Sequence, residues 1–227
     1  MKYDNMTEGE FVSRPNRFIA NVLINGENRV CHVKNTGRCR ELLQKGAKVI
    51  VTRSDNPARK TKYDLIAVYK NGILINMDSA APNKAVHEWL AAGGMGEFTK
   101  LCPEYTIGDS RFDFYGEIGE RRIVIEVKGV TLENDGIVRF PDAPTERGAK
   151  HLNGLIRLAA EGYEAYAFFV VQMKGMKYFT PNRETDPVFS DTLVRAAESG
   201  VHIICRQCEV SPDSMTISEP LEIRLKE

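Results

Sequence analysis

The sequence lacks net charge: across 227 residues, 31 Lys and Arg balance 31 Asp and Glu. It also lacks any unbroken apolar run near the roughly 20 residues needed to span a membrane. Its start, Met1-Lys2-Tyr3-Asp4-Asn5-Met6-Thr7-Glu8, has no apolar core of the kind a secretory leader carries. These absences exclude a membrane partner and favour the cytoplasm. No internal repeat or low-complexity tract is present, which argues against a solenoid or a long disordered linker. Five cysteines, an odd number, stand at positions 31, 39, 102, 205 and 208. Cys205-Arg206-Gln207-Cys208 is a Cys-x-x-Cys without a second pair, and the four histidines are scattered. Structural zinc is therefore not expected, and the thiols of a cytosolic chain stay reduced.

What is present is the composition of a globular protein, 42% hydrophobic and 27% charged, in a chain long enough for two small domains. The expected division is 1–80 and 81–227. The neutral total hides a polarity. Residues 1–80 hold 14 Lys and Arg against 8 Asp and Glu, net +6; residues 81–227 hold 17 against 23, net −6. A basic first module can grip a phosphate backbone while an acidic second one supplies metal ligands.

Five short β patterns, at 17–24, 29–34, 48–53, 64–70 and 73–77, fill the first part. Asn25-Gly26 and Asn71-Gly72 are hairpin turns, and a helical turn is expected over 40–45, ending at Gly46. That spacing suits a small all-β barrel of the OB-fold type, and such barrels bind single-stranded nucleic acid on a basic face. Arg14, Arg17, Lys34, Arg38 and Arg40 are the candidate contacts. After a junction at 78–83, the pattern becomes helix, strands, helix, strand, helix, strand, with helices over 83–92, 145–160 and 186–198. The run Ala165-Tyr166-Ala167-Phe168-Phe169-Val170-Val171-Gln172-Met173 reads as a strand buried on both faces, and residues 215–225 as an edge segment. This is an α/β domain.

The chemistry concentrates between 110 and 130, which reads as a hairpin turning at Gly119-Glu120 or at Ile118-Gly119. Alternation places Val124, Glu126 and Lys128 on one face and Ile123, Ile125 and Val127 on the other. In the first strand Arg111, Asp113 and Tyr115 share a face, and Phe112 and Phe114 the opposite one. A turn at Gly119-Glu120 sets Asp113 opposite Glu126; one at Ile118-Gly119 shifts the pairing by two residues but keeps both carboxylates on the same face. Two carboxylates and a lysine on one sheet face suit a hard divalent cation, Mg²⁺ or Mn²⁺, and the activation of water at a phosphodiester. The plain alternative is a surface hairpin with a Glu–Lys pair. Its apolar neighbours argue against that, because Glu and Lys are seldom buried unless paired or metal-bound. Glu104, and with less weight Glu88, are candidates for a further carboxylate ligand, and the carbonyl of Val127 for completing the metal shell. Arg111, Arg147, Lys150 and His151 are candidates to hold phosphate.

Asp113 with Glu126-Val127-Lys128 resembles the PD-(D/E)xK nuclease signature, with Phe112 where the name has proline. Four longer segments resemble the sugar fermentation stimulation protein (SfsA) family. These are Lys34-Asn35-Thr36-Gly37-Arg38, Ser110-Arg111-Phe112-Asp113-Phe114, Glu126-Val127-Lys128-Gly129-Val130-Thr131-Leu132, and the run from Phe140-Pro141-Asp142 to Lys150-His151-Leu152. The resemblance spans nearly the whole chain. It implies an N-terminal OB-fold followed by a PD-(D/E)xK nuclease-like domain, DNA binding, and a link to the control of sugar metabolism. It does not by itself imply cleavage. The expected catalytic set is Asp113, Glu126 and Lys128. The competing reading is a non-catalytic DNA-binding regulator of carbohydrate (maltose-type) metabolism genes. The expected partner is DNA bound with little sequence preference, with RNA as the alternative; a homodimer is compatible with either.

Overall fold

The computed structural model describes residues 1–35 and 37–226; Thr36, part of the first quoted motif, lies outside the described residues. The chain begins with six strands: β1 (Met6–Asn16), β2 (Ile19–Ile24), β3 (Glu27–Val33), β4 (Lys48–Arg53), β5 (Tyr63–Lys70) and β6 (Ile73–Asn76). β1 pairs with β2, β2 with β3, β3 in parallel with β5, β5 with β4, and β4 with β1. The ring closes, giving a five-stranded OB barrel filled by alternate residues such as Ala20, Val22, Cys31 and Val33. The two Asn-Gly turns take positive φ at both residues, the type I′ geometry that matches strand twist.

Three expectations for this part are corrected. β1 was not expected. It carries few apolar residues, bulges twice and is mostly half-exposed, so pairing on both edges rather than alternation makes it a strand. The expected fifth strand is β6, which joins β5 outside the closed ring. Residues 40–45 form turns, not a helix. Cys39, at φ 44°, and Gly46, at φ 87°, bound a segment too short to nucleate one, and it folds to bury Leu42 and Leu43.

The second part comprises α1 (Ala81–Ala91), β7 (Lys100–Ile107), β8 (Ser110–Ile118), β9 (Arg121–Val130), β10 (Leu132–Asn134), β11 (Ile137–Phe140), α2 (Glu146–Ala160), β12 (Glu164–Val171), β13 (Tyr178–Pro181), α3 (Pro187–Glu198), β14 (His202–Ser211), β15 (Ser214–Pro220) and β16 (Glu222–Ile223). A mixed sheet runs β15-β14-β12-β9-β8-β7, and a small one β10-β11-β13-β16. The large sheet is covered on both faces. α1 sets Val86 and Leu90 against Phe114, Ile125 and Phe168, while α2 and α3 set Leu152, Leu155 and Leu193 against Val124, Ala167 and Phe169. Thr145 and Asp186 cap α2 and α3, accepting from Gly148 and Phe189. Among the described residues no helix is long and apolar enough to cross a membrane.

Barrel and sheet are joined by a seam of buried polar groups. Asp78, fully buried, accepts Lys34 Nζ at 2.7 Å. Gln172 Nε2 donates to the Asn76 and Asp78 carbonyls, and Asn76 N–H donates to the Gln172 carbonyl. Lys70 Nζ donates to Glu133 Oε2 at 2.8 Å. Burial alone would raise the Glu133 pKa, but Lys70 and the Gly136 N–H outweigh it and hold the carboxyl below its ordinary 4.5. A depressed carboxyl contributes stability above its unfolded pKa and loses it as pH falls through the folded value. Glu133→Gln is therefore expected to cost on the order of 2 kcal/mol at pH 7 and to flatten the loss of stability below about pH 4.5. Urea midpoints across that range check this; parallel pH profiles for the two proteins would refute it.

Candidate active site

β8 and β9 are paired from Ile118–Arg121 to Phe114–Ile125, and there their ladder ends. Beyond it β8 stays with β7 as far as Ser110, and β9 stays with β12 as far as Val130. The sheet thus forks. The expected turn at Gly119-Glu120 is present, and extending the register by one residue would set Asp113 against Glu126. At the fork Asp113 turns its carboxylate on the opposite strand: Oδ2 accepts Val127 N–H at 2.7 Å, taking a donor that a continued ladder would have used.

The expected alternation fails at this point. Phe112 and Phe114 do not share a face: Phe112 packs in the core under α2, Phe114 in the core under α1. β7 reverses at the same level, with Leu101 in the α1 core and Tyr105 in the α2 core, and Glu104 between them at φ 53°. A left-handed residue inside a strand re-aims the side chains that follow it. β9 alternates as expected, with Val124 on the α2 side and Ile123, Ile125 and Val127 on the α1 side.

Asp113, Glu126, Lys128, Arg111, Arg147 and Glu104 line one cleft of about 230 Å³, with Asn83, Ser79 and His151. Glu126 is 3% exposed. Its Oε1 accepts from both Lys128 Nζ and His151 Nδ1, and its Oε2 is buried with no partner among the described residues. Arg147 Nε donates to His151 Nε2 at 3.4 Å, which assigns the ring proton to Nδ1. His151 therefore serves Glu126 rather than facing solvent. Burial pushes the Glu126 pKa up, but the hydrogen bonds from His151 and Lys128 win and leave it lowered. Asp113 behaves oppositely: burial, then the Glu126 charge, raise its pKa against the bonds from Val127 and Asn83.

A buried carboxylate oxygen with no donor, beside a second carboxylate, is what a hard cation satisfies. Asp113 and Glu126 fit such an ion. Among the described residues no three His, Cys, Asp or Glu side chains converge as a metal cluster. Glu104 lines the cleft but its carboxylate lies 3.8 Å from Arg111. Glu88 is elsewhere, 2.5 Å from the Met1 amino group. Lys150 is exposed on α2.

Asn83 was missed. From the first turn of α1 its Nδ2 donates to Asp113 Oδ1 at 2.7 Å. Nothing at 78–83 distinguishes it from a linker residue; only the packing of α1 over β8 reveals it.

The barrel carries a second cleft, about 520 Å³, lined by Arg14, Arg17, Arg38 and Arg40 with Gly37 and Ala143. Arg14 is its scaffold: its guanidinium donates to the carbonyls of Arg17, Asn35 and Arg38. Among the described residues no carboxylate pairs with these four arginines. Lys34 lies apart from them, on Asp78.

Comparison with known proteins gives consistent matches. Residues 12–77 match the family model described as the SfsA N-terminal OB domain, and residues 80–214 that of the sugar fermentation stimulation protein RE domain. A sugar fermentation stimulation protein homolog of Desulfitobacterium hafniense is 54% identical over 227 residues, covering all of both chains. One from Clostridium beijerinckii is 54% identical over 99% of this chain and all of its own. The structure of Pyrococcus furiosus SfsA in complex with Ca²⁺ superposes with a TM-score of 0.85 at 26% identity, over 99% of this chain and 98% of that one.

Two buried carboxylates side by side are costly without a cation. Asp113→Asn removes one charge and keeps both contacts: its oxygen can accept from Val127, and the Asn83 amide can turn its own oxygen to the new NH₂. Metal-free Asp113→Asn protein at pH 7 is expected to melt above the wild type. A lower midpoint in EDTA would refute the reading of Asp113 as a strained charge.

Proposed function

The chain belongs to the sugar fermentation stimulation protein family, and from that premise we propose that it is a DNA-binding protein whose carboxylate cleft cleaves phosphodiesters with Mg²⁺ or Mn²⁺. The observation that carries this is the orphaned Glu126 Oε2 beside Asp113 and Lys128 at the fork. A binding surface gains nothing from such a group, whereas a cation site requires it. Ca²⁺ in the Pyrococcus furiosus relative supports a hard-cation, oxygen-ligand reading.

Asp113 and Glu126 would hold the ion, with the Val127 carbonyl a further ligand on the same strand. The ion supplies charge neutralisation at phosphorus and a more acidic water. Asn83 and the Val127 N–H fix the rotamer of Asp113, and His151 with Lys128 fixes that of Glu126. Lys128 exchanges Glu126 for the attacking water or the phosphate oxygen as charge develops. Arg111 and Arg147, exposed at the rim, bind flanking phosphates, as do the barrel arginines. Because phosphate contacts carry affinity, binding has little sequence preference and weakens steeply with salt. Five free thiols, four of them buried, fit the reducing cytoplasm. A regulator that binds DNA without cutting is the second reading, favoured by the family's name.

Calorimetry with Mn²⁺ is expected to show binding that Asp113→Ala and Glu126→Ala remove. Lys128→Ala is expected to abolish cleavage while leaving DNA affinity nearly unchanged, and Lys128→Arg not to restore it, since a planar fork cannot replace a compact ammonium. Wild-type protein that cuts no DNA or RNA with either metal would leave the regulator standing. Full activity in Lys128→Ala would move the site elsewhere.

A further inference from the structure

We propose that the bound form is a single-stranded polynucleotide, led from the arginine cleft of the barrel through the interdomain seam into the carboxylate cleft. This rests on the functional reading above and adds the form of the substrate and its route.

Phe18 is 49% exposed, and the Arg17 guanidinium lies 5.9 Å from its ring centroid. An exposed aromatic ring beside an arginine-lined cleft is a stacking platform, and it can be used only by a base without a partner.

A third cavity lies between the two clefts. It is lined by Asn35, Ser79, Thr131, Arg139, Asp142 and Gln172, among others. At the barrel end it meets the arginine cleft: Gly37, of that cleft, donates to Asn35 Oδ1 at 2.8 Å, and Asp142 adjoins Ala143. Gly37 has no room for a side chain there, since a Cβ would stand 2.5 Å from Asp142 Oδ2. At the other end Ser79 lines both this cavity and the carboxylate cleft.

The cavity between them is an open pocket of about 120 Å³, too small to enclose a nucleotide, so the strand crosses its mouth rather than threading it. Its chemistry fits an unpaired chain. Arg139 has no carboxylate partner among the described residues and can meet a phosphate. Asp142 can only accept, and so meets a donating base or sugar edge, which an unpaired strand can turn fully toward it.

The test is fluorescence anisotropy on the whole protein in EDTA, so that nothing is cleaved. Labelled single strands of about 4 to 30 nucleotides, as DNA and as RNA, are compared with duplexes of equal length. Single strands are expected to bind at least tenfold more tightly than duplexes. Phe18→Ala is expected to weaken every length by about tenfold. Arg139→Glu is expected to weaken only strands long enough to leave the barrel cleft, with Arg139→Gln showing the same length threshold more mildly. DNA and RNA arms of equal strength, or a preference for either, support a single strand equally. Duplex binding as tight as single-strand binding overturns the proposal, as does an Arg139 effect that is the same at all lengths; both leave the functional reading intact. Failure to bind any polynucleotide would bring down that reading as well.

Discussion

The organising constraint of the second domain is the early end of the β8–β9 ladder. Once pairing stops at Phe114–Ile125, each strand keeps only its outer neighbour and the sheet opens into a fork. An opened sheet leaves backbone donors without partners, and an unpaired buried N–H is costly. Asp113 offsets that cost by accepting from Val127 N–H, so the residue that closes the fork is also the one that lines it. The displaced alternation of Phe112 and Phe114, and the left-handed Glu104, are the geometric results of the same split. The two helix-covered cores then hold the arms of the fork apart.

Within that fork the two carboxylates are tuned apart. Glu126 is surrounded by donors on one oxygen and by none on the other. Asp113 has each oxygen occupied once, by Asn83 and Val127, yet burial, and after it the charge of its neighbour Glu126, raises its pKa. The pair is therefore short of positive charge at one place, next to Glu126 Oε2. The groups fixing the carboxylates come from α1, β9 and α2, so the site depends on the packing of both helices on one sheet. A change that loosened either helix would alter the cleft without touching a carboxylate.

Much of this was legible in the residues. Asn-Gly turns, the β runs and the ring of short strands marked the barrel. The helix caps at Thr145 and Asp186 and the unbroken apolar run of β12 marked the α/β domain. Either turn open to the hairpin put Asp113 and Glu126 on one face, and the structure selects the one at Gly119-Glu120. What was not legible came from tertiary context. β1 is a strand because neighbours pair with both its edges, not because it alternates. The helical spacing at 40–45 lost to a left-handed Cys39. Asn83 looked like linker, and His151 looked like a phosphate contact until α2 was seen to bury it against Glu126. Strict period-two reasoning was also bound to fail at Phe112–Phe114, because a strand that forks cannot keep its alternation.

The neutral total charge takes on a different meaning once the seam is considered. The +6 of residues 1–80 and the −6 of the remainder are joined by buried polar contacts, Gln172–Asn76 and Lys70–Glu133, rather than by a flexible linker. Within the first part, Lys34 is held on Asp78 rather than in the arginine cleft. The cost of burying such groups is recovered only if the barrel and sheet keep one orientation, since each contact is directional and each lost partner leaves a desolvated polar atom. The seam thus holds the arginine cleft of the barrel and the carboxylate cleft of the sheet in one relative placement.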